Sequence, residues 1–403
     1  MRRLAVSAVL GLALAGGLAA CGDGSKIVIT VWGPQEDQAT ASSWLQTQEA
    51  AFQAAHPEWD ISWRNSVASE SDAAPSVKQD APAAADVYMF ASDQLGTLVE
   101  ASAIGLVPPE VLAQIQEQTG DAVILDSVTA ADGQVYGVPF TPNTWFMYYD
   151  KSVFTEDDVK SFDAMLAKGR IAFPLANSWY LPAFYLGNGC TLFGPHSTDE
   201  AAGVDFAGAK AADVTEYLTS LIGNRNFVVD SNGSGLAGIQ NGTVNAFFSG
   251  SWDAASVKSA LGENFAATQL PSFTLNGREV QMKAFAGSKA IAFNPYADHP
   301  EVAAAFAAFL GSTKAQRSHY EMRGIIPTDQ SLTSDSALGS DLVAIAQIDT
   351  VANTSALQPG LPAMNNFWDP TENFGKALVA KQVTAANATD KTEAWNKSLN
   401  AGS

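Results

Sequence analysis

The sequence predicts an α/β protein of two lobes, joined by three inter-lobe crossing segments around a central ligand cleft. At 403 residues, with 47% hydrophobic and 10% aromatic residues, the chain exceeds one ordinary core and has the material to fill two. Its opening runs alternate strand, helix, strand, the order of a right-handed crossover and a mostly parallel sheet. Three later stretches are extended and carry proline or small residues, as segments passing between lobes do.

The N-terminus reads as an export signal. Arg2 and Arg3 precede an apolar run from Leu4 to Ala20, which ends in Leu18-Ala19-Ala20-Cys21. The run is too short and too rich in Ala and Gly for a membrane helix, and no later segment is long enough to span a bilayer. Leu18 to Cys21 looks like a bacterial lipobox, so residues 1–20 are expected to leave, Cys21 to carry the lipid, and residues 21–25 to form a tether. A signal cleaved without lipid is the alternative. With Cys21 so used, Cys190 is a single thiol and there is no disulfide framework.

Lys26 to Trp32 is apolar on both faces, the pattern of a strand covered by helices on each side. Trp44, Leu45, Gln48, Phe52 and Ala55 then recur at helical spacing, and Pro57 forces that helix to end at His56. Asp60 to Trp63 and Asp86 to Phe90 are the next strands. Ligands of such sheets bind at the carboxyl ends, which here carry Trp32 to Asp37 and Phe90 to Asp93. Gly133 to Tyr149, broken by Pro139 and Pro142, is the first crossing. Phe154 to Leu221 reads as helical, with aromatic-rich loops at Asn177 to Tyr180 and Gly187 to Cys190. Phe285 to Asn294 is a strand crossing back, Glu301 to Leu310 an Ala-rich helix, and Arg323 to Pro327 the third crossing. Lobe 1 is therefore expected at 26–141 and 287–327, and lobe 2 at 142–286 and 328–403.

A formal charge of -20 leaves no basic face for a phosphate backbone, so nucleic acid is excluded as a partner and anionic substrates are disfavoured. Gly233-Ser234-Gly235-Leu236-Ala237-Gly238 matches the dinucleotide fingerprint, but Asn241-Gly242 stops the helix before it is long enough. His56, His196, His299 and His319 lie far apart, with no metal-ligand spacing, and no cofactor is expected. Ser249-Gly250-Ser251-Trp252-Asp253 is not a Gly-x-Ser-x-Gly elbow. Carboxylates are abundant, so a glycosidase pair stays open; it requires two carboxyls about 5 to 10 Å apart.

Tryptophan and tyrosine accumulate at turns and strand ends: Trp32, Trp145, Trp179, Tyr180, Trp252 and Trp368. In Gly242 to Asp253 an apolar run breaks at Ser249-Gly250 and presents Trp252 beside Asp253, a flat apolar face next to an acceptor. That pairing suits a sugar; a core tryptophan at a strand end is the alternative. Gln358 to Asp369, held extended by Pro359 and Pro362, presents Trp368 in the same way.

These stretches, with Val204 to Lys210, Leu270 to Phe273 and Leu361 to Trp368, occur in the order seen in the extracellular solute-binding proteins of bacterial ABC importers. Nearly the whole mature chain resembles their maltose and maltodextrin-binding branch. The resemblance implies two α/β lobes that close on a sugar without catalysis. It places Trp252 and Trp368 under glucosyl rings, Asp93 on sugar hydroxyls, Glu36 or Asp37 in a polar pair after the first strand, and Phe90 in an aromatic wall. Asn143 stands where the family has a glutamate, with Trp145 in the same crossing, and Trp179 and Tyr180 stand beside the position of the family's aromatic-loop tyrosine. It further implies malto-oligosaccharide ligands, permease subunits as partners, a monomer, and a place on the outer face of the cell membrane or in the periplasm. A secreted glycoside-processing enzyme and a polysaccharide-binding adhesin are the competing readings.

Overall fold

The computed structural model describes residues 26–120 and 122–401, so the expected signal, tether and Cys21 lie outside the described residues. The chain lays down β1 (Ile27–Gly33), β2 (Ile61–Val67), β3 (Val87–Ala91) and β4 (Val138–Thr144). A second sheet then takes β5 (Phe146–Asp150), β6 (Ile171–Phe173), β7 (Phe227–Val229), β8 (Ala246–Ser249) and β9 (Phe265–Thr268). The chain returns with β10 (Ala284–Phe293) and β11 (Ser355–Leu357). The first sheet has the order β11-β10-β3-β1-β2, with β4 also on β10, and the second β9-β5-β8-β6-β7.

Alternation along the strands explains why each sheet is covered twice. In β3, Val87 and Met89 face a core shared with Trp44, Phe52 and Phe306, while Tyr88 and Phe90 face one shared with Leu98 and Ile115. The second sheet repeats the device: Met147, Phe173 and Phe248 enter one core, and Phe146, Tyr148 and Phe247 another. Two sheets with four main cores make two lobes.

The helices that matter for the site are α1 (Trp44–Ala55), α2 (Leu95–Glu100), α3 (Gly208–Leu221), α4 (Ser234–Gln240), α5 (Pro300–Leu310), α6 (Thr313–Arg323), α7 (Leu342–Asn353) and α8 (Trp368–Val379). The first ends as expected, because His56 precedes a proline and takes φ -124°, ψ 67°. The helical reading of 154–221 holds for α3 but misses β6, which at three residues is too short to show a period and is defined by pairing with β7 and β8.

Between β4 and β5 only Trp145 intervenes, so the chain leaves one sheet and enters the other within a residue. After α6, Thr328 donates to the Phe140 carbonyl (3.3 Å) and the chain runs on to α7, which packs its apolar face into the second lobe. The expected boundaries at 141/142 and 286/287 fall inside β4 and β10. β11, expected in lobe 2, pairs with Ala284 to Ala286 of the first sheet before the chain goes back to α8.

Candidate functional site

Strand directions fix the cleft. β1, β2 and β3 are parallel, and β4 and β3 both run antiparallel to β10, so the carboxyl end of β4 lies with those of β1 to β3. β5 runs antiparallel to β8, which is parallel to β6, and β6 to β7. The carboxyl ends of both sheets therefore converge on Trp145, and the loops after them form one crevice.

On the first-lobe side, Ser92 to Gln94 make a single turn after β3. Gln94 fixes it, accepting from the Ala74 amide (3.3 Å) and donating to the Ser71 carbonyl (2.7 Å), and the Ser92 hydroxyl accepts from the Ser288 amide (3.0 Å). Asp93, between them, keeps Oδ1 out of solvent with no hydrogen-bond partner. Burial lifts its carboxyl to about 6. Such an acceptor is suited to a ligand hydroxyl. Nearby, Lys289 of β10, in register with Ala91, pairs with Glu70 at 3.0 Å. Neither residue of that pair was anticipated, because the two are far apart in sequence.

On the second-lobe side, β8 ends at Ser249 and Trp252 stands 57% exposed. Its ring folds back over Gly250, where a Cβ would collide with the indole. The Tyr148 hydroxyl anchors this turn by donating to the Gly250 carbonyl (2.8 Å). Trp179 lies nearly parallel to Trp252, with centroids 6.0 Å apart and planes at 28°. Tyr180, almost buried, packs tilted on Trp145 at 4.7 Å. Burial and the charges of Asp253 and Asp230 push the Tyr180 phenol up, so it remains a neutral hydroxyl. Trp368 opens α8, half-buried and edge-on to Phe285 of β10 at 6.1 Å. Beside these rings lies a 530 Å³ cavity lined by Asn177, Tyr180, Asp230, Asn232, Asp253 and Glu372 among others. The Asp253 carboxylate accepts from the Ser249 hydroxyl (2.6 Å), and Glu372 pairs with Lys376 at 2.5 Å.

Three expected ligand residues do not face this crevice. Asp37 is 2% exposed; burial alone would raise its carboxyl, but hydrogen bonds and charge from His319 (3.0 Å) and Arg323 (3.1 Å) hold it below its ordinary value. It ties the turn after β1 to α6, with His319 stacked on Trp44 at 3.8 Å. Phe90 is fully buried, because its position in β3 points into the core face it shares with Leu98 and Ile115. Trp145 is likewise 0% exposed, wedged among Phe173, Tyr180 and Phe248. Its place is behind the cleft. Glu36 is exposed in the first turn of the short helix Gln35–Gln38, and Asn143 is half-buried on β4 opposite Gly287.

The glycine-rich run is explained without a nucleotide. Asp230 accepts from the Gly235 amide (2.8 Å) and the Ser234 hydroxyl (3.1 Å), so a carboxylate of the protein itself fills the N-terminus of α4. Among the described residues no group of three His, Cys, Asp or Glu is placed to hold a metal ion.

The family model described as bacterial extracellular solute-binding protein matches residues 48–347. A solved structure of a protein with acarbose is 45% identical, with a TM-score of 0.85, and covers 94% of this chain and 100% of that one. The maltodextrin-binding protein MalE1 of L. casei BL23, solved without ligand, is 27% identical with a TM-score of 0.85, over 93% and 99% of the two chains. A maltooligosaccharide ABC transporter solute-binding lipoprotein of Streptococcus pneumoniae R6 is 28% identical over 330 residues, 76% of this chain and 74% of the relative.

Proposed function

The chain belongs to the bacterial extracellular solute-binding proteins, and on that premise we propose that it is the sugar-binding subunit of an ABC importer, capturing maltose or malto-oligosaccharides and delivering them to a membrane permease. The observation that carries this reading is an exposed indole in the turn after β8 of the second lobe together with, in the turn after β3 of the first, a carboxyl oxygen shut from solvent with no hydrogen-bond partner. Sugars offer C–H faces to the first and hydroxyls to the second. The relatives named for maltodextrin and maltooligosaccharide, and the relative solved with acarbose, agree with that chemistry.

In this reading Trp252 and Trp368 are platforms, Asp93 accepts from hydroxyls, and Glu36, Asn143 and Tyr180 supply rim contacts. The lobes close as bodies about the segments near 141–145, 283–287 and 324–328. The protein acts as a monomer, exported and held to the outer face of the membrane through Cys21. It binds its sugar without turnover; shorter products after hours with maltotriose, read by chromatography, would favour a glycosidase instead.

A thermal-shift panel of mono-, di- and oligosaccharides tests the assignment, because a ligand at a hundred times its Kd adds about 2.7 kcal/mol. The expected outcome is stabilisation by maltose or longer α-glucans. Silence with all of them, or stabilisation only by long polysaccharide, would defeat it.

A further inference from the structure

We propose that Gln358 is a positioning residue for the sugar platform, acting through Trp179; this rests on the sugar-binding reading above. Gln358 begins the stretch that leads from β11 to α8, and its side chain is almost buried at 8% exposure. Its Oε1 accepts from the Trp179 indole N–H at 2.7 Å, while its own backbone amide donates to the Ala286 carbonyl of β10 at 2.8 Å. One residue thus ties the aromatic loop of the second lobe to the strand that crosses between lobes.

Trp179 in turn backs Trp252. With near-parallel rings 6.0 Å apart, no pyranose fits between them, since a sugar in the gap would need roughly twice a 3.5 to 4 Å carbon contact. Trp179 is therefore the support of the platform, and the free face of Trp252 is the one left for the sugar. Gly250 leaves that indole room to lie flat, and the Asn177 side chain fixes the start of the loop by accepting from the Trp179 amide at 2.8 Å. Losing the Gln358 acceptor frees Trp179 to turn, and Trp252 then loses the fixed ring beside it and keeps only its packing on Gly250.

The test is calorimetric titration of the full chain with maltotriose. Gln358→Met removes the acceptor at similar volume and is expected to weaken binding about 3- to 10-fold, the range of one neutral hydrogen bond. Gln358→Glu, which still accepts, is expected to remain within about 2-fold of the parent. In a Trp179→Phe background, where no N–H is left to hold, Gln358→Met is expected to cost nothing further. Parental affinity in Gln358→Met, or an equal loss in both backgrounds, overturns the proposal. Should Gln358→Met fail to fold, Trp179→Phe carries the test, since it deletes the donor and an unchanged affinity there overturns the proposal equally. Absence of maltotriose binding by the parent would instead refute the sugar-binding reading itself.

Discussion

Replacing Trp252 by alanine separates a binding platform from a core residue. At 57% exposure the indole keeps one broad face in water. Of the roughly 200 Å² that a tryptophan can bury, a stacked pyranose covers about 80 to 100 Å². At about 25 cal/mol per Å² that contact is worth about 2 kcal/mol, or roughly 30-fold in affinity. The same substitution removes from the folded protein the packing on the Gly250 backbone and the contact with Trp179, an aromatic pair worth about 0.5 to 1.5 kcal/mol. Trp145→Ala is the internal control: fully buried among Phe173, Tyr180 and Phe248, it should lose about 3 to 5 kcal/mol of stability. Titration with maltotriose beside denaturant melts reads both quantities. Affinity of Trp252→Ala within about 3-fold of the parent, or a stability loss as large as that of Trp145→Ala, would refute the stacking role.

Asp93→Asn should stabilise the sugar-free protein at pH 7 by on the order of 2 kcal/mol and weaken sugar binding. The folded carboxyl sits at about 6 against 3.8, so its ionisation opposes folding, and that penalty is absent below pH 4 and grows as pH rises through 6. Melts at pH 3.5 and pH 7 that show the same difference from the parent would contradict this. Asp37→Ala strands His319 and Arg323 and should cost about 3 to 5 kcal/mol. Because the folded carboxyl of Asp37 lies below its ordinary value, its contribution is present above about pH 4 and lost in acid, which a pH series of melts reads directly. Small-angle scattering should show a smaller radius of gyration with saturating maltotriose; an unchanged radius would argue for a rigid site. Cys21→Ala should move the protein from the membrane to the soluble fraction, and unchanged retention would defeat the lipid anchor.

Composition and local pattern made the class of fold legible. Ile27 to Trp32 is apolar on consecutive positions, so it needed cover on both faces wherever it ended up, and Pro57 stopped α1 whatever lay around it. The run from Gly242 to Asp253 likewise marked a strand that stops at Gly250 and turns a tryptophan outward, since glycine there leaves space that no other residue does. Such features depend on neighbours a few residues away.

Exposure at a strand end does not. Trp145, Phe90, Asp37 and Trp252 all follow or close extended runs, yet the first three are sealed and only the last stands free. The difference comes from partners distant in the chain: Phe173 and Phe248 close over Trp145, Phe90 sits in a core with Ile115 and Val138, and His319 and Arg323 of α6 reach back to Asp37. The Trp179–Gln358 bond, spanning 179 positions, has no local signature at all. Thus the sequence alone determined which residue types would gather at the carboxyl ends of the strands, because periodicity and turn chemistry are short-range. Tertiary structure decided which of them meet the ligand, because burial and pairing depend on where the two sheets and their crossing segments bring remote side chains together.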